Sequence, residues 1–181
     1  MKIIETGFND LYEIESTVFG DDRGYFFESY RKKTFEDLGI SSGFVQDNES
    51  FSVKGTLRGL HFQSEPYAQA KLVRVALGKV MDVAIDLRPN SPTFGKHHTV
   101  ILDAKRHNLF LIPTGFAHGF LALEDSVFSY KCTNYYNKAS EGGILWNDPE
   151  LNIDWQIENP IVSEKDKLLP NFAVYKNAPQ F

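Results

Sequence analysis

Arg58-Gly59-Leu60-His61-Phe62-Gln63, followed by Lys71-Leu72-Val73-Arg74-Val75-Ala76-Leu77 and by Lys79-Val80-Met81-Asp82-Val83-Ala84-Ile85-Asp86-Leu87, is the stretch that decides the fold. The second and third runs are rich in Val, Ile and Leu, and Gly78 separates them. They read as two strands joined at that glycine. Alternation puts His61 and Gln63 on one face of a strand and Phe62 on the other. If the polar face looks into a barrel, the polar set points at an enclosed site.

Short β-rich segments recur on either side of this stretch, at 25–30, 44–53, 96–102, 109–112, 119–123 and 126–133. Turn-forming clusters separate them, among them Gly20 to Gly24, Lys54-Gly55-Thr56 and Pro89-Asn90-Ser91-Pro92. Many short strands at close spacing predict a sandwich or barrel. Two short helices are expected. One spans Lys32 to Leu38, with Thr34 as its cap and Gly39 as its stop. The other lies around Ser163 to Leu169, with Ser163 as N-cap and Asp166 in the first turn. The segment 146–155 reads as loop. Residues 1–181 carry no repeat, low-complexity tract or linker, so one domain is expected.

Composition narrows the function. Aromatic residues reach 14%, with fifteen Phe and eight Tyr, which favours strands. The net charge of -5 and the lack of a basic face argue against nucleic-acid binding. The single cysteine, Cys132, excludes an intramolecular disulfide and a cysteine-rich zinc site, and it fits a cytoplasmic location. The first ten residues are too polar for a signal peptide, and no apolar run approaches the length of a membrane span.

Two histidines are candidates for chemistry. An isolated histidine is most often a hydrogen-bonded core residue, but His61 lies near Arg58 and Lys71 in sequence. His118 ends Pro113-Thr114-Gly115-Phe116-Ala117-His118, which resembles the second signature of the cupin superfamily of small β-barrels. The first cupin signature supplies H-x-H and then a Glu ahead of a Gly as metal ligands. Here Gln63 replaces the second His, and Lys71 stands in the Glu's place ahead of Gly78. An amide is a poor ligand for a transition metal and an ammonium is none. The pattern predicts a metal-free, cofactor-free site built for an anion.

That set suits proton abstraction next to a carbonyl. Histidine is a base of suitable strength near neutral pH. Lys71 or Arg58 would oppose the enolate charge. A second acid is needed on the other face, and a tyrosine hydroxyl serves, with Tyr130 and Tyr136 flanking Cys132. An acidic residue behind the histidine would hold its tautomer.

With these residues in hand, nearly the whole chain resembles the dTDP-4-dehydrorhamnose 3,5-epimerase family. Asp22 to Glu28, Gln46-Asp47-Asn48, Arg58 to Gln63, Lys71 to Arg74, Asp82 to Arg88, Ser91 to Gly95, Ile112 to Phe120, Tyr130 to Tyr136, Trp146 to Pro149 and Ser163 to Asp166 follow in that family's order. The resemblance implies a mainly β fold, a cupin-type antiparallel barrel with a few short helices, acting as a homodimer without metal or cofactor. It implies epimerisation at C3 and C5 of a dTDP-linked 4-keto-6-deoxy sugar. His61 would be the base, Tyr130 the opposing acid, Asp166 the partner of His61, and Lys71 the support of the enolate. Arg23, Glu28, Gln46, Asp47, Asn48, Arg58, His118, Glu141 and Lys165 would line the nucleotide-sugar site, and Tyr136 would stack on the base. Phe62 stands where the family often has Tyr, on the face expected to point away. Relatives with the same motifs epimerise a single carbon, so a 3- or 5-epimerase is an alternative. Two others are a metal cupin such as a dioxygenase and a non-catalytic sugar-nucleotide binding module, the last needing no contact between His61 and Asp166.

Overall fold

The structure, a computed structural model, describes residues 1–40 and 43–181. Strands β1 (Lys2–Glu5) and β2 (Tyr12–Glu15) pair, and β3 (Val18–Asp21) and β4 (Gly24–Phe27) form a separate hairpin. After helix α1 (Lys32–Asp37) come β5 (Gln46–Ser52), β6 (Thr56–Gln63), β7 (Lys71–Leu77), β8 (Lys79–Asp86), β9 (His97–Asp103), β10 (Leu109–Ile112), β11 (Phe116–Ala122) and β12 (Ser126–Cys132). A 3-10 turn then leads to β13 (Glu141–Gly143), β14 (Ile161–Val162), α2 (Glu164–Lys167) and α3 (Phe172–Asn177). One sheet has the order β1-β2-β10-β7-β12-β5 and the other β13-β6-β11-β8-β9, with β14 joining β6 in parallel.

The two strands on either side of Gly78 therefore do not pair with each other. β7 lies in the first sheet and β8 in the second. Gly78 is the corner where the chain changes sheets. It has φ +78, and a Cβ there would lie 2.2 Å from the Asp125 carbonyl oxygen, so only glycine fits.

Apolar side chains from both sheets interdigitate between them, among them Val73, Val75, Val80, Ala84, Phe110, Phe120 and Phe128. Each sheet is covered outside as well. Leu60, Phe62, Met81, Val83 and Ile85 pack under the C-terminal segment with Trp155, Phe172 and Tyr175. Phe35 of α1 packs with Leu72, Leu109 and Leu111. Being covered on both faces explains why β8 reads as an apolar run rather than an alternation.

The helices differ in detail from expectation. Thr34 lies inside α1 rather than at its cap; Arg31 is the capping position and makes no side-chain cap bond. Gly39, at φ +81, follows as the stop. The second helix is a single turn, with Ser163 as N-cap accepting from the Asp166 amide at 3.1 Å. No helix among the described residues is long and apolar enough to cross a membrane.

Candidate active site

The bulge in β6 shapes the site. His118 of β11 is opposite His61, whereas Phe120, two residues on, is opposite Arg58, three residues back. The extra residue on β6 shifts the pleat. Arg58 and His61, which strict alternation would put on opposite faces, consequently line one cleft. Gly59, at φ +128, makes the bulge feasible, because a Cβ there would lie 2.6 Å from the Gly119 Cα.

The cleft, about 690 Å³, opens between the two sheets. His61, Arg58 and His118 enter from the second sheet, and Lys71 and Tyr130 from the first. Asp166 and Lys165 close it from α2. Phe51, Val53 and Ile161 add an apolar border.

His61 and Asp166 are 105 residues apart in sequence, yet the imidazole Nε2 lies 2.8 Å from Asp166 Oδ1. The second carboxylate oxygen accepts the Gly59 amide freed by the bulge, at 3.2 Å. Burial pushes the Asp166 carboxyl up, but the bond and charge of His61, with the Gly59 and Ser163 bonds, more than reverse this and hold it below the usual carboxylate range. Nε2 is thus occupied, and Nδ1 is the nitrogen left for chemistry.

Lys71 is opposite Cys132 on the adjacent strand. Part of its surface faces the cleft, but protein walls that cleft, and this withdrawal from water draws its ammonium pKa down. Burial raises the Tyr130 phenol, with Cys132 adding to the effect and Arg58 opposing it. Tyr130 is therefore held in its protonated, donating form. Arg58 donates to Ser52 Oγ at 3.0 Å and to the Phe51 carbonyl at 3.1 Å, which poses its guanidinium at the cleft mouth.

Glu141 joins Tyr136 and Lys165 at the rim. It accepts from Tyr136 Oη at 3.0 Å and from Lys165 Nζ at 2.6 Å. On β5, Gln46 donates to Asn48 at 3.0 Å and accepts the Tyr136 amide at 3.2 Å, so this inward face supports the same rim. Asp47 points the other way and pairs with Lys131 at 2.8 Å, because neighbours on a strand alternate. Arg23 and Glu28 also lie outside this cleft. Arg23 sits at the exposed turn of the β3–β4 hairpin against Asp21, and Glu28 lies 3.3 Å from Arg31. Gln63 is committed to structure: it donates to the Tyr67 and Tyr135 carbonyls at 2.7 and 3.2 Å and accepts the Asn137 amide at 2.7 Å. Phe62 points away from the cleft and packs on Tyr175 and Phe181.

One residue behind the cleft, bound to its His118, escaped the reading of the sequence as a site residue. Asp82, fully enclosed, lies 2.9 Å from His118 Nε2. Its signal was an acid in the middle of the apolar run Val80 to Leu87, since aspartate is rarely enclosed without a partner.

Two antiparallel sheets closed around a polar acid–base cleft define a cupin-type jelly-roll barrel. A profile of the family described as dTDP-4-dehydrorhamnose 3,5-epimerase matches residues 5–174. The curated enzyme of that name from Shigella flexneri is 52% identical over 168 residues, covering 92% of this chain and 93% of its own. A crystal structure of that name from Elizabethkingia anophelis superposes with a TM-score of 0.93 at 51% identity, covering 100% of this chain and 99% of the other. A Legionella pneumophila structure, described as a complex with dTDP-4-keto-L-rhamnose, superposes at 0.92 with 47% identity, covering 96% and 93%. The chain belongs to the dTDP-4-dehydrorhamnose 3,5-epimerase family.

Proposed function

We propose that this chain is an isomerase that epimerises dTDP-4-keto-6-deoxy-D-glucose at C3 and C5 to dTDP-4-keto-L-rhamnose, the step that supplies the deoxysugar-nucleotide route to dTDP-L-rhamnose. One observation carries the reading: His61, held by Asp166 at 2.8 Å, and Tyr130 line a single cleft from opposite sheets. The contact between His61 and Asp166 counts against a binding module that has no use for it.

His61 Nδ1 takes the proton from the carbon next to the C4 ketone. The C–H pair moves into the ring and the carbonyl pair moves onto O4. The Lys71 ammonium opposes the charge on that oxygen. Asp166 stabilises the imidazolium that forms. The O4 pair then re-forms the carbonyl as the ring pair takes the Tyr130 proton on the opposite face of the same carbon, inverting it, and each group recovers its proton state through solvent. The sequence repeats at the second carbon. The bidentate geometry of the Arg58 guanidinium suits the pyrophosphate, and Tyr136 offers an exposed ring to the base.

A homodimer fits the same reading. The β3–β4 hairpin leaves Phe19, Tyr25 and Phe26 each more than 60% exposed and carries Arg23 away from its own cleft. A second copy would cover those rings and bring Arg23 and Glu28 to a nucleotide site. Light scattering giving twice the chain mass supports the dimer, and a monomer mass rejects it.

The test of activity is an NMR time course with dTDP-4-keto-6-deoxyglucose in deuterated water. Loss of both the C3 and the C5 proton signals is expected. Loss of one reassigns the chain as a single-site epimerase, and no loss above the protein-free control rejects the reading.

A further inference from the structure

Asp82 occupies the barrel-facing side of β8, between Val80 and Ala84 of the inter-sheet core. It is fully enclosed, and its hydrogen-bonding partner is one imidazole: His118 Nε2 lies 2.9 Å from Oδ1 and 3.0 Å from Oδ2. One N–H leaves most of a carboxylate's accepting capacity unused. A charge so placed is costly unless a cation answers it.

Lys71 is the cation at hand, because it lines the same cleft as His118, the ring that Asp82 holds. Four groups on four strands act on it: Cys132 of β12, Asp82 of β8 and Glu141 of β13 favour its charge, and His118 of β11 repels it when protonated. Two of the three favourable groups are compromised. Burial pushes the Cys132 thiol up, so it is uncharged near neutral pH. Glu141 is already engaged by Lys165 at 2.6 Å. Asp82 remains as the anion that no other cation claims among the described residues.

We propose that Asp82 is a positioning residue that acts through Lys71 and His118: its carboxylate is the counter-charge that keeps the Lys71 side chain cationic, and it grips His118 by Nε2 so that Nδ1 is left for the substrate. Burial draws the His118 imidazolium down against the pull of Asp82, which agrees with a neutral ring of that tautomer. The need for a cation at O4 rests on the epimerase reading; the electrostatic linkage does not.

The experiment titrates Lys71 by NMR in protein carrying carbon-13 at lysine Cε, the signal being assigned with Lys71→Gln. In the wild type Lys71 should still be an ammonium at pH 8. In Asp82→Asn, which keeps an acceptor for His118, it should lose its proton about one pH unit lower or more. Asp82→Glu should restore the wild-type titration. The alkaline limb of kcat should move down with Lys71 in Asp82→Asn while KM stays within about twofold. A neutral Lys71 in the wild type at pH 8, or an unmoved titration in Asp82→Asn, overturns the proposal. So does a loss of kcat that is uniform with pH, which marks a merely structural role. If Asp82→Asn does not fold, Asp82→Ser, which also removes the charge and keeps an acceptor for His118, takes its place. If Lys71 responds as expected but no epimerisation occurs, the linkage stands and the functional reading falls.

Discussion

Two histidine–carboxylate pairs stand side by side on β6 and β11, and they are not equivalent. His61 and His118 are opposite one another across the strands, and each ring is bound by a carboxylate through Nε2. Their surroundings differ. The His61 side chain is 32% exposed to the cleft, and Asp166 has further bonds from Gly59 and Ser163. The His118 side chain is 8% exposed, and its partner Asp82 sits in the inter-sheet core. A ring that must take and release protons needs access to substrate and water, and its partner must be firmly anionic. A ring sunk beside a lysine resists becoming charged. Under the proposed mechanism, the same pair of residue types serves as a base in one place and as a neutral fixture in the other. Burial makes the difference.

The largest test of this contrast is to remove each ring. His61→Asn should lower kcat by about 10²- to 10⁴-fold, the usual share of a general base, and abolish deuterium incorporation at both carbons. His118→Gln should cost about tenfold, the scale of one neutral hydrogen bond. Equal losses in a kinetic comparison would break the distinction between the pairs.

The bulge that serves both pairs comes next. Gly59→Ala places a methyl 2.6 Å from the Gly119 Cα at a positive φ. We expect about 2–4 kcal/mol of destabilisation in urea unfolding, together with lost activity from the displaced Arg58 and His61. A variant of wild-type stability would show that the bulge is not imposed by this contact.

Arg58→Ala sharpens the contrast from the binding side. It should raise KM about tenfold with a smaller effect on kcat, as loss of one charge-assisted phosphate contact would. An unchanged KM would displace the pyrophosphate from the cleft mouth.

The smallest effect concerns acid. The Asp166 carboxyl is held below its ordinary value, so its contribution is present above the unfolded-state pKa of about 4 and is lost as pH falls through the folded value. The stability gap between wild type and Asp166→Asn should therefore narrow between pH 7 and about pH 3 in denaturant titrations. A gap that widens on acidification would reverse the assigned sign.

Much of the fold was legible in the order of residues. Runs of Val, Ile and Phe between turns announce short strands because the pleat favours such side chains, and Ser163 announces a helix start because its hydroxyl satisfies a free amide. That His61 and Lys71 would share one site was legible because they are polar residues set close together among apolar strands. Other features were out of reach of local rules. Alternation counts the pleat residue by residue, so it cannot foresee that one extra residue at Gly59 turns Arg58 and His61 to the same side. It also cannot say that β7 and β8 part at Gly78 into different sheets, since sheet partners are chosen by contacts far along the chain.

By itself, then, the sequence determined the β character, the turn and cap positions and the residue types available for proton transfer, all of which follow from neighbours within a few positions. Only the tertiary structure decided which of those residues meet. It brought Asp166 to His61 across 105 positions, enclosed Asp82 beside His118, turned Asp47 outward and carried Arg23 and Glu28 away from the cleft. Those outcomes depend on long-range strand pairing and on which faces the core claims, and neither is encoded in any single stretch.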